Sequence, residues 1–280
     1  MMLSSISILK KFLFPASLFI WVFSIITLIS LANLGFSEIK GNHMLYSKFW
    51  NVNSYHQVSD SKHNEQKKRR RRLSSKTGML FGYTPAFLAC VASFWIFPHQ
   101  GSRFLLLKSA LTLHFFKRIF EVLFIHKYSG SLSLGTGISI SLSYFIVTVT
   151  MIYSQHLTKG IPEPPIDLKC PAGIILFLTG IIGNFYHHYL LSKLRRGMGD
   201  QKEYKIPKGG FFNLVVCPHY FFEIIDFFGV SFISQTLFSL CFTIGSAFFL
   251  MGRSYATRRW YLSRFEDFPK HVKALIPFVF

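Results

Sequence analysis

Apolar residues fall in long blocks along this chain, separated by short polar stretches rather than alternating with them. Four blocks, Phe12–Leu34, Met79–Phe97, Leu132–Ile152 and Ala172–Tyr189, approach the roughly 20 residues an α-helix needs to cross a ~30 Å hydrocarbon layer. Phe104–Ile125 has similar length but carries Lys108, His114, Lys117, Arg118 and Glu121. Phe221–Met251 is too long for one span, and a turn near Ser231–Gln235 divides it into two. The pattern predicts an all-α polytopic membrane protein with about seven transmembrane helices.

Composition agrees, since half the residues are hydrophobic and Phe alone occurs 33 times. A net charge of +19 first suggests nucleic acid, but its distribution points to topology instead. Of 31 Lys and Arg, 23 fall in segments 35–77, 190–210 and 252–280 or at Lys127. An excess of basic residues marks the cytosolic side, so the N-terminus is expected in the lumen and the C-terminus in the cytosol. Nucleic acid is not an expected partner.

Three segments follow: a membrane anchor over residues 1–34, a basic cytosolic loop over 35–77, and a membrane-embedded domain over 78–280. Lys10 and Lys11 precede the first block as in a signal peptide, but its apolar run exceeds a 7–15 residue signal core, which favours a retained anchor. The basic loop ends in KKRRRR, Lys67–Arg72, a run suited to anionic lipid headgroups, with Ser74 and Ser75 beside it as phosphorylation candidates. Cys90, Cys170, Cys217 and Cys241 are too scattered for a metal pattern or a disulfide framework.

Ionisable groups inside apolar spans are costly and mark sites or buried pairs. His114, Lys117, Arg118 and Glu121 recur at i, i+3, i+4 and i+7, one face of a helix, either as a helix-locking ion pair or as the polar wall of a cavity. Asn184, His187, His188 and Arg195 form a second stripe. The adjacent histidines diverge on a helix and supply no ligand box, so no metal is expected, whereas Arg195 suits a phosphate. Glu223 and Asp226 share a side of a third helix, where they could accept hydrogen bonds from a ligand or pair with Arg253. Gly197, Gly199, Pro207, Gly209 and Gly210 make residues 197–210 a loop able to approach a ligand closely. No dinucleotide fingerprint or Walker loop is present.

KIPKGGFF, CPHYFFEIID and the terminal GRSYATRRWYLSRFEDFPKHVKALIPFVF resemble the C-terminal domain of the steroid 5α-reductase family, and HFFKRIFEVLFIHKYSG resembles the very-long-chain enoyl-CoA reductase branch. The resemblance implies a seven-helix endoplasmic-reticulum enzyme that uses NADPH to reduce a carbon–carbon double bond conjugated to a carbonyl. It carries the family's cofactor positions onto Asn184, Arg195, Tyr204, Glu223, Arg253, Tyr261 and Arg118. Where steroid reductases have a substrate-binding Tyr this chain has Phe115, where they have a Glu it has Tyr83, and an expected Asn is His219. Carbonyl polarisation would then fall to His114, Tyr83 or Tyr189. The implied substrate is a long-chain trans-2-enoyl-CoA. Alternatives are a 3-oxo-Δ4 steroid, a polyprenol-type substrate, or a non-catalytic scaffold of a fatty-acid elongation complex.

Overall fold

The computed structural model describes residues 11–43, 72–98, 101–128, 131–194 and 205–280. Arg195, Tyr204 and the Lys67–Arg72 run, apart from the backbone of Arg72, lie outside them. Among the described residues the chain is mostly helical: α1 (Leu18–Ile39), α2 (Ser75–Ile96), α3 (Gly101–Phe120), α4 (Leu134–His156), α5 (Ile174–Leu194), α6 (Pro218–Ser234) and α7 (Leu237–Arg264).

Five of these, α1, α2, α4, α5 and α7, are long and apolar enough to cross a membrane. The α3 helix is diluted by Arg103, Lys108, Lys117 and Arg118, and α6 has only 17 residues. Their outward faces are apolar: Trp21, Ile26 and Phe36 on α1 and Trp95 on α2 are exposed. This is the inverse of a water-soluble surface and suits a lipid surround.

Element boundaries follow local chemistry. The first helix starts at Leu18, later than the hydropathy pattern suggests, because Pro15 interrupts the run and the Ser17 side chain caps Ile20 N–H at 3.3 Å. The turn anticipated near Ser231–Gln235 falls at Gln235, whose left-handed backbone (φ 50°) ends α6. One feature lies outside an all-α reading: Arg72–Ser74 pairs antiparallel with Ser131–Ser133. Its end residues then open two helices, because Ser74 Oγ caps Thr77 N–H and Ser133 Oγ caps Thr136 N–H, each at 3.0 Å. Ser74 therefore has a capping role.

Glycines set the helix pairings that position the interior. A Cβ at Gly252 on α7 would run into the backbone of Gly35 on α1, so these helices touch backbone to backbone. Gly180 on α5 lies against the backbone of Asp226, and Gly229 on α6 against that of Phe177. The close α5–α6 contact brings the polar stripes of both helices onto α3.

A smaller core joins distant parts of the chain. Val216, Cys217, Tyr261, Phe268, Val272 and Leu275 cluster together. Lys273 N–H donates to Leu214 O, and Val216 N–H to Lys273 O, both at 2.9 Å. The terminal segment thus zips onto the strand-like stretch before α6, so the two family-like motifs are one structural unit.

Candidate active site

The buried polar residues converge between α2, α3, α5 and α6. Lys117 Nζ donates to Asn184 Oδ1, and Asn184 Nδ2 donates to His219 O at 2.7 Å and reaches Glu223 Oε2 at 3.5 Å. The Asn184 amide therefore links α3 to α6, with its orientation set by an ammonium on one side and a carbonyl on the other.

Glu121 is the anionic centre, fully buried. Its carboxylate lies 3.3 Å from Lys117 Nζ, 3.3 Å from Arg118 Nη1 and 3.0 Å from His188 Nδ1. The i,i+4 pair expected from the sequence is thus present as part of a four-group cluster. Arg118 in turn donates through Nη2 to the Tyr83 hydroxyl at 2.7 Å, with its guanidinium over the Tyr83 ring. Tyr83 contacts Tyr144, and Tyr144 contacts Phe115. Phe115 is buried here and serves as packing.

Residues 121–125 wind as a π-helix. The wider turn brings i and i+5 toward one face, which places His126 over Glu121. Glu121, His126 and His188 thereby offer three metal-capable atoms within 4.8 Å of one another, a grouping that sequence spacing did not reveal. A cation there would face Lys117 and Arg118, which already share the carboxylate, so the arrangement reads as one acid holding several basic groups. Burial, then the nearby charges of His188 and Arg118, pushes the His126 imidazole toward its neutral form.

The adjacent histidines diverge, as a helix requires. His188 meets Glu121, whereas His187 Nδ1 donates to Gly183 O at 2.7 Å and its Nε2 accepts from Phe211 N–H at 3.1 Å. Both ring nitrogens of His187 are thus committed, Nδ1 to its own helix and Nε2 to fastening the 205–213 loop to α5. That loop turns through Gly209 (φ 89°) and Gly210 (φ 53°), and a Cβ on Gly210 would sit 2.9 Å from His187 Nε2.

Among the described residues, the acid found against Arg253 is not the Glu223 or Asp226 considered above but Glu38. Arg253 Nη1 lies 2.7 and 2.9 Å from the two oxygens of Glu38 on α1. Asp226 Oδ2 instead lies 2.6 Å from His114 Nδ1. Glu38 was missed because a single acid at the end of an apolar block names no partner. Of the positions proposed from sequence, Tyr83, His114, Arg118, Asn184 and Glu223 gather in one region. Tyr261 lies in the terminal core, stacked on Phe265 and Phe268. Tyr189 lies under Lys193, whose Nζ is 4.6 Å from its ring centroid. Among the described residues none of the four cysteines forms a disulfide.

Residues 139–280, just over half of the chain, match the family model described as 3-oxo-5-alpha-steroid 4-dehydrogenase. The chain belongs to that family. A steroid 5-alpha-reductase of Gossypium hirsutum (DET2) is 30% identical over 202 residues, 67% of this chain and 76% of the relative. The human 3-oxo-5-alpha-steroid 4-dehydrogenase 1 is 39% identical over 128 residues, 46% of this chain and 49% of the relative. A very-long-chain enoyl-CoA reductase of Dictyostelium discoideum is 32% identical over 169 residues, 60% of this chain and 55% of the relative. The chain therefore spans about half the length of the latter two, and this family of membrane proteins is one of oxidoreductases. The matched region holds Asn184, His188, Glu223 and Asp226, while Tyr83 and the α3 groups lie upstream of it.

Proposed function

We propose that this protein reduces a carbon–carbon double bond conjugated to a carbonyl in a lipid, with NADPH as reductant and a long-chain trans-2-enoyl-CoA as substrate. In this reading it is a seven-span endoplasmic-reticulum protein with its N-terminus lumenal and its basic end cytosolic. The observation that carries the reading is the Arg118–Tyr83 pair, a buried phenol against a part-buried guanidinium. Because Arg118 donates to the phenol oxygen, the hydroxyl proton of Tyr83 is free to point at a substrate carbonyl. The guanidinium puts fixed positive charge behind it, where negative charge develops on the carbonyl oxygen during reduction. Tyr83 thus takes up the role that Phe115 cannot fill.

The donor set suits a nicotinamide dinucleotide. Glu223 accepts only the 3.5 Å contact from Asn184 among the hydrogen bonds described, leaving carboxylate capacity for a ribose hydroxyl or an amide. Asn184, Glu223 and Arg118 would hold the cofactor with Arg195 and Tyr204, and Arg253 and Tyr261 would support the surrounding walls. NADPH, when bound, supplies the hydride for the new bond at the β-carbon. Lys117 and Glu121 fix the Asn184 amide, and apolar α2–α4 side chains exclude water.

The enoyl-CoA choice rests on the α3 motif of His114, Lys117, Arg118, Glu121 and His126, whose members build this network. The longer match to a steroid reductase favours a 3-oxo-Δ4 steroid as a second reading. The test is NADPH oxidation by the purified protein with trans-2-hexadecenoyl-CoA and with a 3-oxo-4-ene steroid in parallel, using an Arg195→Ala/Glu223→Ala double variant as blank. Turnover of the acyl-CoA alone supports the first reading, and turnover of the steroid alone replaces it with the second. NADPH binding without turnover of either would favour a scaffold role in a lipid-elongation complex. Neutralising Lys67–Arg72 should raise KM for the CoA substrate; an unchanged KM would remove that loop from CoA recognition.

A further inference from the structure

The reduction proposed above needs two electrophilic contacts on the substrate, one at the carbonyl oxygen and one that delivers a proton to the α-carbon. The Tyr83–Arg118 pair can serve only the first at a given moment. A second proton-handling group stands one helical turn away on the same face of α3: His114 is at i−4 from Arg118, a spacing that puts their Cβ atoms roughly 5–6 Å apart.

His114 is buried, and its Nδ1 lies 2.6 Å from Oδ2 of Asp226 on α6. An ionised carboxylate can only accept, so Nδ1 carries the proton of this bond and Nε2 is the edge left for chemistry. The ring is wedged between Phe115 and Phe227, with centroids 5.2 and 5.6 Å away, which limits its rotation. Asp226 is itself 1% exposed, and its Oδ1 has no hydrogen-bond partner among the described residues. A buried carboxylate with an orphaned oxygen is a poor stabilising device, because its desolvation is incompletely offset. Its backbone is pressed against Gly180 of α5, so the dyad is held by the same helix contact that sets Asn184 beside Glu223.

We infer that His114 delivers the α-carbon proton through Nε2 and that Asp226 is its positioning residue, which fixes the tautomer and ring orientation. The inference rests on the enone-reduction reading. With NADPH bound, hydride supplied to the β-carbon would move the C=C electron pair into an enolate, whose oxygen Tyr83 would hydrogen-bond. The α-carbon then takes the proton from Nε2 of the imidazolium, leaving neutral imidazole and a saturated carbonyl compound. A proton from solvent restores the imidazolium, so each turnover consumes one NADPH and one proton. Dividing the two electrophilic tasks between Tyr83 and His114 explains how the site can work with Phe115 in place of the family Tyr.

The test compares wild type with His114→Gln, Asp226→Asn and Asp226→Glu on the substrate that wild type turns over. For His114→Gln and Asp226→Asn, kcat should fall about a hundredfold with KM for NADPH unchanged. The solvent deuterium isotope effect should grow, and the primary effect from 4-deuterated NADPH should shrink, as protonation becomes limiting. Asp226→Glu should recover part of kcat. Independently of turnover, 15N-histidine NMR of the wild type should show a strongly hydrogen-bonded Nδ1–H that is missing in His114→Gln and that Asp226→Asn weakens, while the Nδ1 signals of His187 and His188 stay unchanged in both. Reduced kcat with both isotope effects unchanged would assign the dyad a packing role and overturn the inference, as would unchanged kcat in His114→Gln. Should Asp226→Asn fail to fold, His114→Gln carries the isotope test alone. A wild type silent on both substrate classes would instead remove the reduction reading, and this inference with it.

Discussion

Arg118 Nη2 stands 2.7 Å from the Tyr83 hydroxyl, across the interface between α3 and α2. A guanidinium cannot accept, so the phenol keeps its own proton for a ligand. Tyr83→Phe keeps the ring and its packing on Tyr144 while deleting that donor. It should lower kcat/KM by about a hundredfold or more, with melting temperature nearly unchanged. Steady-state NADPH oxidation and thermal unfolding of the same sample check this. A variant retaining full activity would exclude Tyr83 as the carbonyl donor.

Glu121 gathers Lys117, Arg118 and His188 at 3.0–3.3 Å in a fully buried position. Glu121→Ala would strand the two flanking cations, a loss of about 3–5 kcal/mol by analogy with broken buried pairs. Thermal denaturation in detergent should show a large drop in midpoint. A drop no bigger than that of an exposed control such as Glu266→Ala would contradict this view of the cluster.

Arg253 and Glu38 tie α7 to α1 where Gly252 meets Gly35. Breaking this buried pair by removing either charge alone should destabilise the protein, whereas a double Glu38→Met/Arg253→Met replacement should recover much of the loss. Gly252→Leu should separate the helices outright, because the side chain has no space beside the Gly35 carbonyl. Protease accessibility of residues 40–43 reports the detachment. Equal protection in Gly252→Leu and wild type would refute the close approach.

At the opposite end of the bundle, Arg103 binds Asp167 at 2.7 Å, together with Glu163, the Ile233 carbonyl and Gln235. Asp167 lies in the connecting loop. Burial would raise its pKa, but hydrogen bonds from Lys169 and the charge of Arg103 outweigh it and hold the carboxyl below its ordinary value. A depressed folded-state pKa contributes stability that is present above the unfolded value, about 3.9, and is lost as pH falls through the folded value. The melting temperatures of wild type and Asp167→Asn should therefore differ near neutrality and converge below about pH 4. A constant offset across the acid range would show that Asp167 is not the titrating group.

Much of the bundle was legible in the sequence because hydrophobic blocks of membrane length report local helix formation directly. The Ser231–Gln235 break and the Lys117–Glu121 pair were legible for the same reason: helical periodicity is a local property. The divergence of His187 and His188 also follows from a 100° step per residue. The motif resemblance implied a shared role for Asn184 and Glu223, which lie 3.5 Å apart.

Partner choice was decided only by tertiary packing. Arg253 could have paired with Glu223 or Asp226 by proximity in sequence, but the Gly35–Gly252 contact brought Glu38 to it from the far end of the chain. Asp226 took His114 because Gly180 lets α5 and α6 close up against α3. His126 reached Glu121 through a π-turn that no residue pattern announced. The sequence by itself determined which faces are apolar and which carry charge, since those depend on neighbours within a few residues. Which charge meets which depends on how closely helix backbones approach, and that was decided by glycine contacts between segments whose paired charges lie as much as 215 residues apart.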